Sequence, residues 1–353
     1  MKIAILSFYS GERSRGVETY VHELANHLTD LGHNISVYQN GLKRENSKYK
    51  TVSLGLKIDW SQNSGVPLVS YWPMLVRKFT EECISNFDGN ENVVLTTNGQ
   101  WQSILVRKWT RKNKVKHVVA GQSGPGIDDR INLACTPDSF VALTNYQKEW
   151  AKKAVPFIKQ NRTDVIPNGV DLKRFLSSKK INLDLPKPIF LNVAALESLK
   201  RQQLAIKAVS KLKQGSLLIV GKGDLQSKLQ QLGDELLPGR FLIQEYQYED
   251  MPSVYASADV FTFPTSPWES FGIVMLEAMV SGLPVVASND PIRREIVGDA
   301  GIFVDPENTE EYAVAMQKAI DMKWGNKPQK QAEKFSWDKI AKQYESLFEK
   351  LVG

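Results

Sequence analysis

Residues 259–282, DVFTFPTSPWESFGIVMLEAMVSG, carry the clearest fold signal in this sequence. Residues 259–263 contain Val260, Phe261 and Phe263, which predicts a buried parallel strand, and a loop with Pro264 and Pro267 follows. Residues 273–280 are apolar at helical spacing, and Gly282 ends that stretch. The order of strand, loop and helix predicts a helix that begins at the carboxyl edge of a parallel sheet.

The same alternation continues in both directions along the chain. Strands are predicted at residues 2–8, 35–38, 93–95, 118–120 and 140–143, and again at 189–193, 216–220, 241–243, 259–263 and 284–287. Helical patterns lie between most of them. The sequence therefore predicts an α/β protein with two Rossmann-like, doubly wound parallel-sheet domains that face a central cleft.

A length of 353 residues is too great for one ordinary core and suits two domains. Residues 165–188 contain four proline or glycine residues, have little periodicity and suit a linker. We expect an N-terminal domain at 1–171, a C-terminal domain at 172–335 and a final helix within 336–353.

Composition favours a globular protein of the cytoplasm. Apolar residues make up 42% and charged residues 24% of the chain. The two cysteines, Cys83 and Cys135, suit neither a metal site nor a disulfide framework. The start of the chain predicts a first strand rather than a signal peptide, and no window has the ~20 apolar residues of a membrane span.

The net charge of +6 is concentrated in residues 1–175, whereas residues 176–353 are close to neutral. Two stretches of the first half combine aromatic with basic side chains. They are Tyr71, Trp72, Leu75, Arg77, Lys78 and Phe79, and Trp101, Ile104, Leu105, Arg107, Lys108, Trp109, Arg111, Lys112, Lys114 and Lys116. Such faces predict peripheral contact with an anionic membrane on its inner side, or else solvated helices over an ordinary core. No nucleic-acid-binding motif is present.

The segment 269–277 has the features of an anion site. A helix that begins beside Gly272 presents free backbone N–H groups and its positive dipole end. Glu269 precedes this helix and Glu277 lies about one turn into it. Two carboxylates beside a phosphate site suit hydrogen bonds from sugar hydroxyl groups. From the spacing alone, a capped amphipathic helix explains the same residues.

The wider context resembles one family closely. ESFGIVMLEAM at 269–279 followed by SGLPVV at 281–286 is similar to the signature of family 4 glycosyltransferases of the GT-B fold. GVETYV at 16–21, IPNGVD at 166–171, VGKG at 220–223 and GIFV at 301–304 match the same family in order. The resemblance implies metal-independent transfer from a nucleotide sugar with retention of configuration, and a final helix that packs on the N-terminal domain.

The resemblance also implies roles for residues of the C-terminal domain. The backbone of Ser270, Phe271, Gly272 and Ile273 would bind the donor diphosphate. Glu277 would bind the ribose, Glu269 the donor sugar, and Lys200 the charge on the departing diphosphate. Glu245 and Gln247 would lie beside the nucleotide base.

Further implied residues include two departures from the family pattern. Gly16 would let the first loop approach the reaction centre, although an ordinary βα turn explains it equally well. Ala195 stands where the family has an arginine, and Arg201 is the nearest replacement for that charge. Gln122 stands where many members have a histidine near the transferred sugar, and glutamine exchanges no proton.

No metal ligand set is recognisable, so neither a metal nor another cofactor is expected. Asp128 and Asp129 are adjacent carboxylates, which predicts a solvated surface loop.

The predicted function is hexosyl transfer from a UDP-, GDP- or ADP-sugar to a hydroxyl of a glycan, a lipid-linked sugar or a small molecule. One alternative is a sugar-nucleotide epimerase on the same fold, which needs no acceptor. The other is a sugar-nucleotide-binding partner without catalysis, which the missing arginine at Ala195 would suit.

Overall fold

The computed structural model describes residues 1–13, 15–62, 65–156, 162–176 and 178–353. The chain divides into two compact units. The N-terminal unit consists of Met1–Asn168 with Trp337–Gly353, and the C-terminal unit is Gly169–Ser336. Each unit contains one all-parallel sheet, so the predicted class, an α/β protein with two parallel-sheet domains, is confirmed.

The N-terminal unit has a sheet of seven strands in the order β3-β2-β1-β4-β5-β6-β7. Its strands are β1 Lys2–Leu6, β2 Asn34–Asn40, β3 Lys50–Leu54, β4 Val93–Thr96, β5 Lys116–Ala120, β6 Ser139–Ala142 and β7 Thr163–Val165. Its helices are α1 Gly16–Asp30, α2 Tyr71–Ser85, α3 Trp101–Asn113, α4 Ile127–Ala134 and α5 Asn145–Ala154. The central strand β1 pairs with β2 and β4, and Ile3 to Leu6 are buried, as expected of a strand covered on both faces.

The last helix, α14, spans Trp337–Val352 and belongs to the N-terminal unit. It packs on α1, where the hydroxyl of Tyr20 donates to that of Tyr344 at 2.7 Å. The Tyr20 and Trp337 rings lie 6.1 Å apart. The apolar stripe of α14 therefore finds its partner in the first helix of the chain.

The C-terminal unit has a sheet of six strands in the order β10-β9-β8-β11-β12-β13. These are β8 Ile189–Val193, β9 Ser216–Val220, β10 Phe241–Gln244, β11 Val260–Phe263, β12 Val285–Ser288 and β13 Gly301–Val304. The helices are α6 Leu172–Leu176, α7 Gln202–Ser210, α8 Gln226–Leu236, α9 Met251–Ser257, α10 Ile273–Val280, α11 Pro291–Val297, α12 Thr309–Asp321 and α13 Lys327–Ala332. Both sheets reverse their strand order beside the first strand, which is the doubly wound arrangement.

The structure adds three strands that the sequence patterns did not predict: β3, β7 and β13. It also places α6 within residues 165–188, a segment that was expected to be a plain linker. Among the described residues, no helix is long and apolar enough to cross a membrane.

Candidate active site

The loop between β11 and α10 turns at Gly272, where the backbone has φ 90°. A Cβ atom at this position would lie 2.9 Å from Cε1 of Phe263, so both the conformation and the space require glycine. Phe271 is buried and its ring packs against Phe335. The turn therefore fixes where the chain enters α10.

The first backbone N–H groups of α10 point away from the helix and have no intrahelical acceptor. In the part of the chain that the structure describes, the N–H groups from Ser270 to Val274 have no hydrogen-bond partner. α10 begins at Ile273 and ends at Val280, as its sequence pattern predicts. The geometry is that of an anion site at a helix N-terminus.

Lys200 lies beside this loop, although it is 69 residues from Glu269 in sequence. It ends a 3₁₀ turn, Ser198–Lys200, whose Leu199 carbonyl accepts from the N–H of Ser266 at 2.9 Å. That bond brings the ammonium group of Lys200 to the carboxylate of Glu269, with which it forms an ion pair. Both side chains are largely buried, with 18% and 13% of their surface exposed.

Glu277 lies on the second turn of α10 and is partly buried. Its Oε2 accepts a hydrogen bond of 2.6 Å from the hydroxyl of Tyr255, on α9. Burial raises the pKa of Glu277, whereas the Tyr255 bond and the nearby charge of Arg174 lower it. No described residue donates to Oε1, so that oxygen is available to a ligand hydroxyl.

Two arginines hold the loop from β11 to α10. Arg201 has φ 52°, and its guanidinium group donates to the carbonyls of Pro264 and Thr265 at 2.8 and 2.6 Å. Arg293 is fully buried and donates to the carbonyl of Glu269 at 2.7 Å. Arg201 also forms an ion pair of 3.0 Å with the exposed Glu307.

The loops after β8 and β9 lie against each other. Gly221 has φ 147°, and a Cβ atom there would approach the carbonyl oxygen of Ala194 to 2.1 Å. Glu245 and Gln247 lie exposed in the loop after β10, and Glu245 forms a surface ion pair of 3.1 Å with Lys222. These loops extend the carboxyl edge of the sheet next to the residues described above.

Gly16 and Gln122 lie in the N-terminal unit. Gly16 is the exposed first residue of α1. Gln122 is buried, and its amide exchanges two hydrogen bonds, of 2.9 and 3.1 Å, with that of Asn168. This pairing uses one donor and one acceptor of each amide.

The prediction of a solvated Asp128–Asp129 loop is wrong. Both residues lie on α4, and Asp129 is fully buried. Its carboxylate accepts from Nε2 of Gln147 at 2.8 Å and from Nδ2 of Asn132 at 3.2 Å. Amide donors replace the water that an exposed carboxylate would bind.

The two aromatic and basic stretches are not continuous surfaces. Arg107 is buried and pairs with Asp138 at 2.6 Å, and the Trp109 ring packs against Phe87 in the core. Phe79 is fully buried. The exposed basic side chains that remain on and after α3 are Lys108, Arg111, Lys112 and Lys114.

Sequence patterns did not single out Tyr255, Asp290 or Arg293. Asp290 had a signal, because an aspartate before a proline is typical of a helix N-cap, and it does cap α11. Tyr255 had none, because its partner is a carboxylate 22 residues away. Arg293 bonds to Asp290, three residues before it, but its bond to the carbonyl of Glu269 spans 24 residues and has no local signal. Among the described residues no group of His, Cys, Asp and Glu is arranged to hold a metal.

Comparisons with known proteins match both units. Residues 14–174 match the family model Glycosyltransferase Family 4, and residues 173–336 match the model Glycosyl transferases group 1. A phosphatidyl-myo-inositol mannosyltransferase of Mycolicibacterium smegmatis is 25% identical over 100% of this chain and 95% of its own length. O-antigen chain mannosyltransferase B of Escherichia coli is 39% identical over 100 residues, which are 27% of this chain and 26% of that protein.

Solved structures share the fold over nearly the whole chain. Sucrose-phosphate synthase from Thermosynechococcus elongatus superposes with a TM-score of 0.78 at 20% identity, covering 99% of this chain and 98% of that one. Anabaena HepE in complex with UDP and glucose gives 0.79 at 18% identity, covering 99% and 100%. The two family models, the two doubly wound sheets and this likeness agree, and the chain belongs to the family 4 glycosyltransferases of the GT-B fold.

Proposed function

We propose that this glycosyltransferase moves a hexosyl group from a nucleoside diphosphate sugar, bound by the C-terminal unit, to a hydroxyl group of an acceptor bound by the N-terminal unit. The observation that carries the proposal is the Lys200–Glu269 pair beside the open N–H groups of α10. In the predicted domain division, residues 1–171 serve the acceptor, 172–335 the donor, and 336–353 complete the first domain.

The donor diphosphate would lie on the N–H groups from Ser270 to Ile273, where the helix dipole favours negative charge. Lys200 would neutralise the charge that develops on the departing diphosphate, and Glu269 would bind the sugar hydroxyls. The free Oε1 of Glu277 would accept from the ribose while Tyr255 holds Oε2. The start of α10 and Lys200 are the groups that would face the diphosphate charge, and we propose transfer without a metal ion and with retention of configuration.

The names of the relatives give a first donor and acceptor to test. The matched proteins of Mycolicibacterium smegmatis and Escherichia coli are both mannosyltransferases, and a third relative, from Corynebacterium glutamicum, is described as GDP-mannose-dependent. GDP-mannose is therefore the first donor to try, followed by UDP- and ADP-sugars. The names of the same relatives make lipid-linked and glycan acceptors the first acceptors to test. No observation favours the epimerase or the non-catalytic partner.

A thermal-shift titration tests the donor site. At a ligand concentration of 100 times Kd, binding stabilises the native state by about 2.7 kcal/mol, so the correct nucleotide sugar raises Tm. Glu277→Ala should reduce that rise, and Glu235→Ala, which removes an exposed carboxylate of α8, should leave it unchanged. A series in which no sugar nucleotide raises Tm, or in which Glu277→Ala responds as the unaltered protein does, contradicts the assignment.

We also propose that the protein works in the cytoplasm and rests on the inner face of a membrane. The support is the exposed basic group Lys108, Arg111, Lys112 and Lys114, together with relatives whose names specify phosphatidylinositol acceptors. Each basic residue near an anionic surface adds about 1 kcal/mol. Vesicles with anionic lipid should sediment the protein at low salt but not at high salt, and recovery in the supernatant at low salt contradicts the proposal.

A further inference from the structure

Three loops that follow neighbouring strands of the N-terminal sheet meet around one buried carboxylate. The loops follow β4, β5 and β6, and the carboxylate belongs to Asp129, on the first turn of α4. Carboxyl ends of parallel strands share one edge of the sheet, so the loops are neighbours by topology. The loop after β5, residues 121–126, contains Gln122.

Gln147, on the first turn of α5, links Asp129 to that loop. Its Nε2 donates to Oδ2 of Asp129 and to the carbonyl oxygen of Gly121, both at 2.8 Å. Its Oε1 accepts from the N–H of Leu143 at 2.7 Å. One amide therefore fixes the peptide group that joins Gly121 to Gln122 relative to both α4 and α5.

Asn132 extends the same network to the loop after β4. Its Nδ2 donates to Oδ1 of Asp129 at 3.2 Å, and its Oδ1 accepts from Ser103 Oγ at 2.7 Å and from the N–H of Gln100 at 3.2 Å. The two carboxylate oxygens of Asp129 thus receive amide donors from two different directions.

We propose that Asp129 is a positioning residue: through Gln147 and Asn132 it fixes the loop of residues 121–126, and with it Gln122, for the transfer reaction. The effect of Asp129 on catalysis rests on the proposed function. Its effect on the conformation of residues 121–126 does not depend on that function. Neither Asp129 nor Gln147 needs to touch a substrate for this role.

The chemistry of the contacts favours a carboxylate. Both amide groups facing Asp129 are donors, and an ionised carboxyl group accepts from both through charge-assisted bonds. A protonated carboxyl group carries a hydrogen on one oxygen, which weakens the bond to that oxygen, and an asparagine replaces that oxygen with a second amide donor. We therefore expect the loop of residues 121–126 to be held more firmly when Asp129 is ionised.

This ionised state is costly for the fold. The pKa of Asp129 is raised to about 7, chiefly by burial and also by the neighbouring Asp128, although the bonds from Asn132, Gln147 and the Gly124 backbone lower it. Asp128, beside it on α4, is the charged group that acts on it, and α5 presents the neutral Gln147. Because the folded pKa lies above the unfolded value of about 3.9, the neutral acid favours the fold below pH 4, and this contribution is lost as the pH rises through about 7.

Hydrogen exchange followed by mass spectrometry tests the proposal on the unaltered chain without donor or acceptor. After correction for the intrinsic rate, protection of the amides at 122–124 should rise about tenfold between pH 5.5 and pH 8.5, which corresponds to one hydrogen bond of about 1.4 kcal/mol. Protection that stays constant over this range overturns the proposal.

Three variants sharpen the result. Asp129→Asn should show the low protection at every pH, and Asp128→Asn should shift the transition to lower pH because it removes the neighbouring charge. Glu149→Gln alters an exposed carboxylate of α5 and should follow the unaltered protein. Protection in Asp129→Asn that matches the unaltered protein at pH 8.5 also overturns the proposal.

Turnover connects the loop to catalysis. In the unaltered enzyme, kcat should fall as the pH drops below about 7, in parallel with the protection of the loop amides. Asp129→Asn should have a reduced kcat that does not change over this pH range, and its KM for the donor should be unchanged. A normal kcat in Asp129→Asn, with a loosened loop, contradicts the catalytic part. If the unaltered protein transfers no sugar, the proposed function fails, and the exchange data still decide whether Asp129 holds the loop.

Discussion

Lys200 and Glu269 show how two ordinary charged residues become a site. Glu269 lies in the motif that precedes α10, whereas Lys200 is 69 residues away in sequence and has no comparable motif around it. Their ion pair depends on the backbone bond between Leu199 and Ser266, which joins a 3₁₀ turn to the loop after β11. The pair places a fixed cation beside the open N–H groups of α10, where a developing negative charge would be stabilised.

Replacing Lys200 should affect the chemical step more than donor binding. Loss of one group that stabilises transition-state charge typically lowers kcat by about 100-fold. We therefore expect Lys200→Ala to lower kcat by roughly that factor, measured as nucleoside diphosphate release at saturating donor. Lys228→Ala, on the exposed face of α8, is the matched control. A kcat for Lys200→Ala within twofold of the control would show that this ammonium group has no part in the reaction.

Gly272 permits a separate test of the loop. Gly272→Ala adds a methyl group 2.9 Å from the Phe263 ring, in addition to the strain of φ 90°. Gly239 has φ 71°, and a Cβ atom there would have no neighbour within 4 Å, so Gly239→Ala measures the backbone strain alone. We expect both variants to lose about 1–3 kcal/mol of stability in urea unfolding, and Gly272→Ala to lose more than Gly239→Ala. Only Gly272→Ala should bind the nucleotide sugar more weakly. Equal effects on both measurements would contradict the proposed close packing.

His117 provides a pH-dependent test. It lies fully buried on β5, and burial lowers its pKa to about 3, with Arg107 adding to the effect. Since the unfolded pKa is about 6.5, the stability from the neutral imidazole is present above pH 6.5 and is lost as the pH falls toward 3. Between pH 7 and 4.5 the unaltered protein should lose about 2 kcal/mol more than His117→Asn in urea unfolding. Parallel losses would mean that His117 is not held neutral.

At the scale of elements, sequence patterns predicted the interior strands of both sheets more reliably than the edge strands. The apolar runs of β1, β8, β9 and β11 were visible because strands covered on both faces are apolar throughout. The three strands that were missed, β3, β7 and β13, all lie at sheet edges. Lys50 to Leu54, for example, is partly exposed along its length, so its apolar residues form no continuous run.

In the candidate site, too, only the features that a local sequence pattern encodes could be predicted. The bounds of α10 and the pair Glu269 and Glu277 could be identified because local motifs encode them. Arg293 and Asp129 could not, because nothing in their local sequence indicates that a charged residue will be fully buried. Each has one partner three residues away, Asp290 and Asn132, and another on a distant segment, Glu269 and Gln147.

The packing of α14 on α1 can be measured by a double-mutant cycle. Tyr20 and Tyr344 are both fully buried, and their hydroxyl groups share one hydrogen bond while their rings lie 6.2 Å apart. Tyr344→Phe should cost about 1–2 kcal/mol because it leaves the Tyr20 hydroxyl buried without its partner, and Tyr20→Phe with Tyr344→Phe should recover most of that loss. Additive losses in urea unfolding would mean that the two hydroxyls do not interact.

At the scale of the molecule, the two units have similar topologies but different chemistry. The C-terminal unit gathers Lys200, Glu269, Glu277 and the start of α10 at one sheet edge. The N-terminal unit gathers buried amide and carboxyl groups around Asp129 and Gln122 at the corresponding edge. We interpret the first arrangement as a donor site and the second as the support of an acceptor-facing loop.

Transfer of a sugar is the central claim, and mass spectrometry measures it directly. The unaltered protein would be incubated with GDP-mannose, and then with UDP- and ADP-hexoses, in the presence of a lipid and glycan extract. We predict nucleoside diphosphate release matched by an acceptor that gains the mass of one hexosyl group. Conversion of the donor to an isomer with no gain in acceptor mass, or no consumption of any donor, would contradict the account.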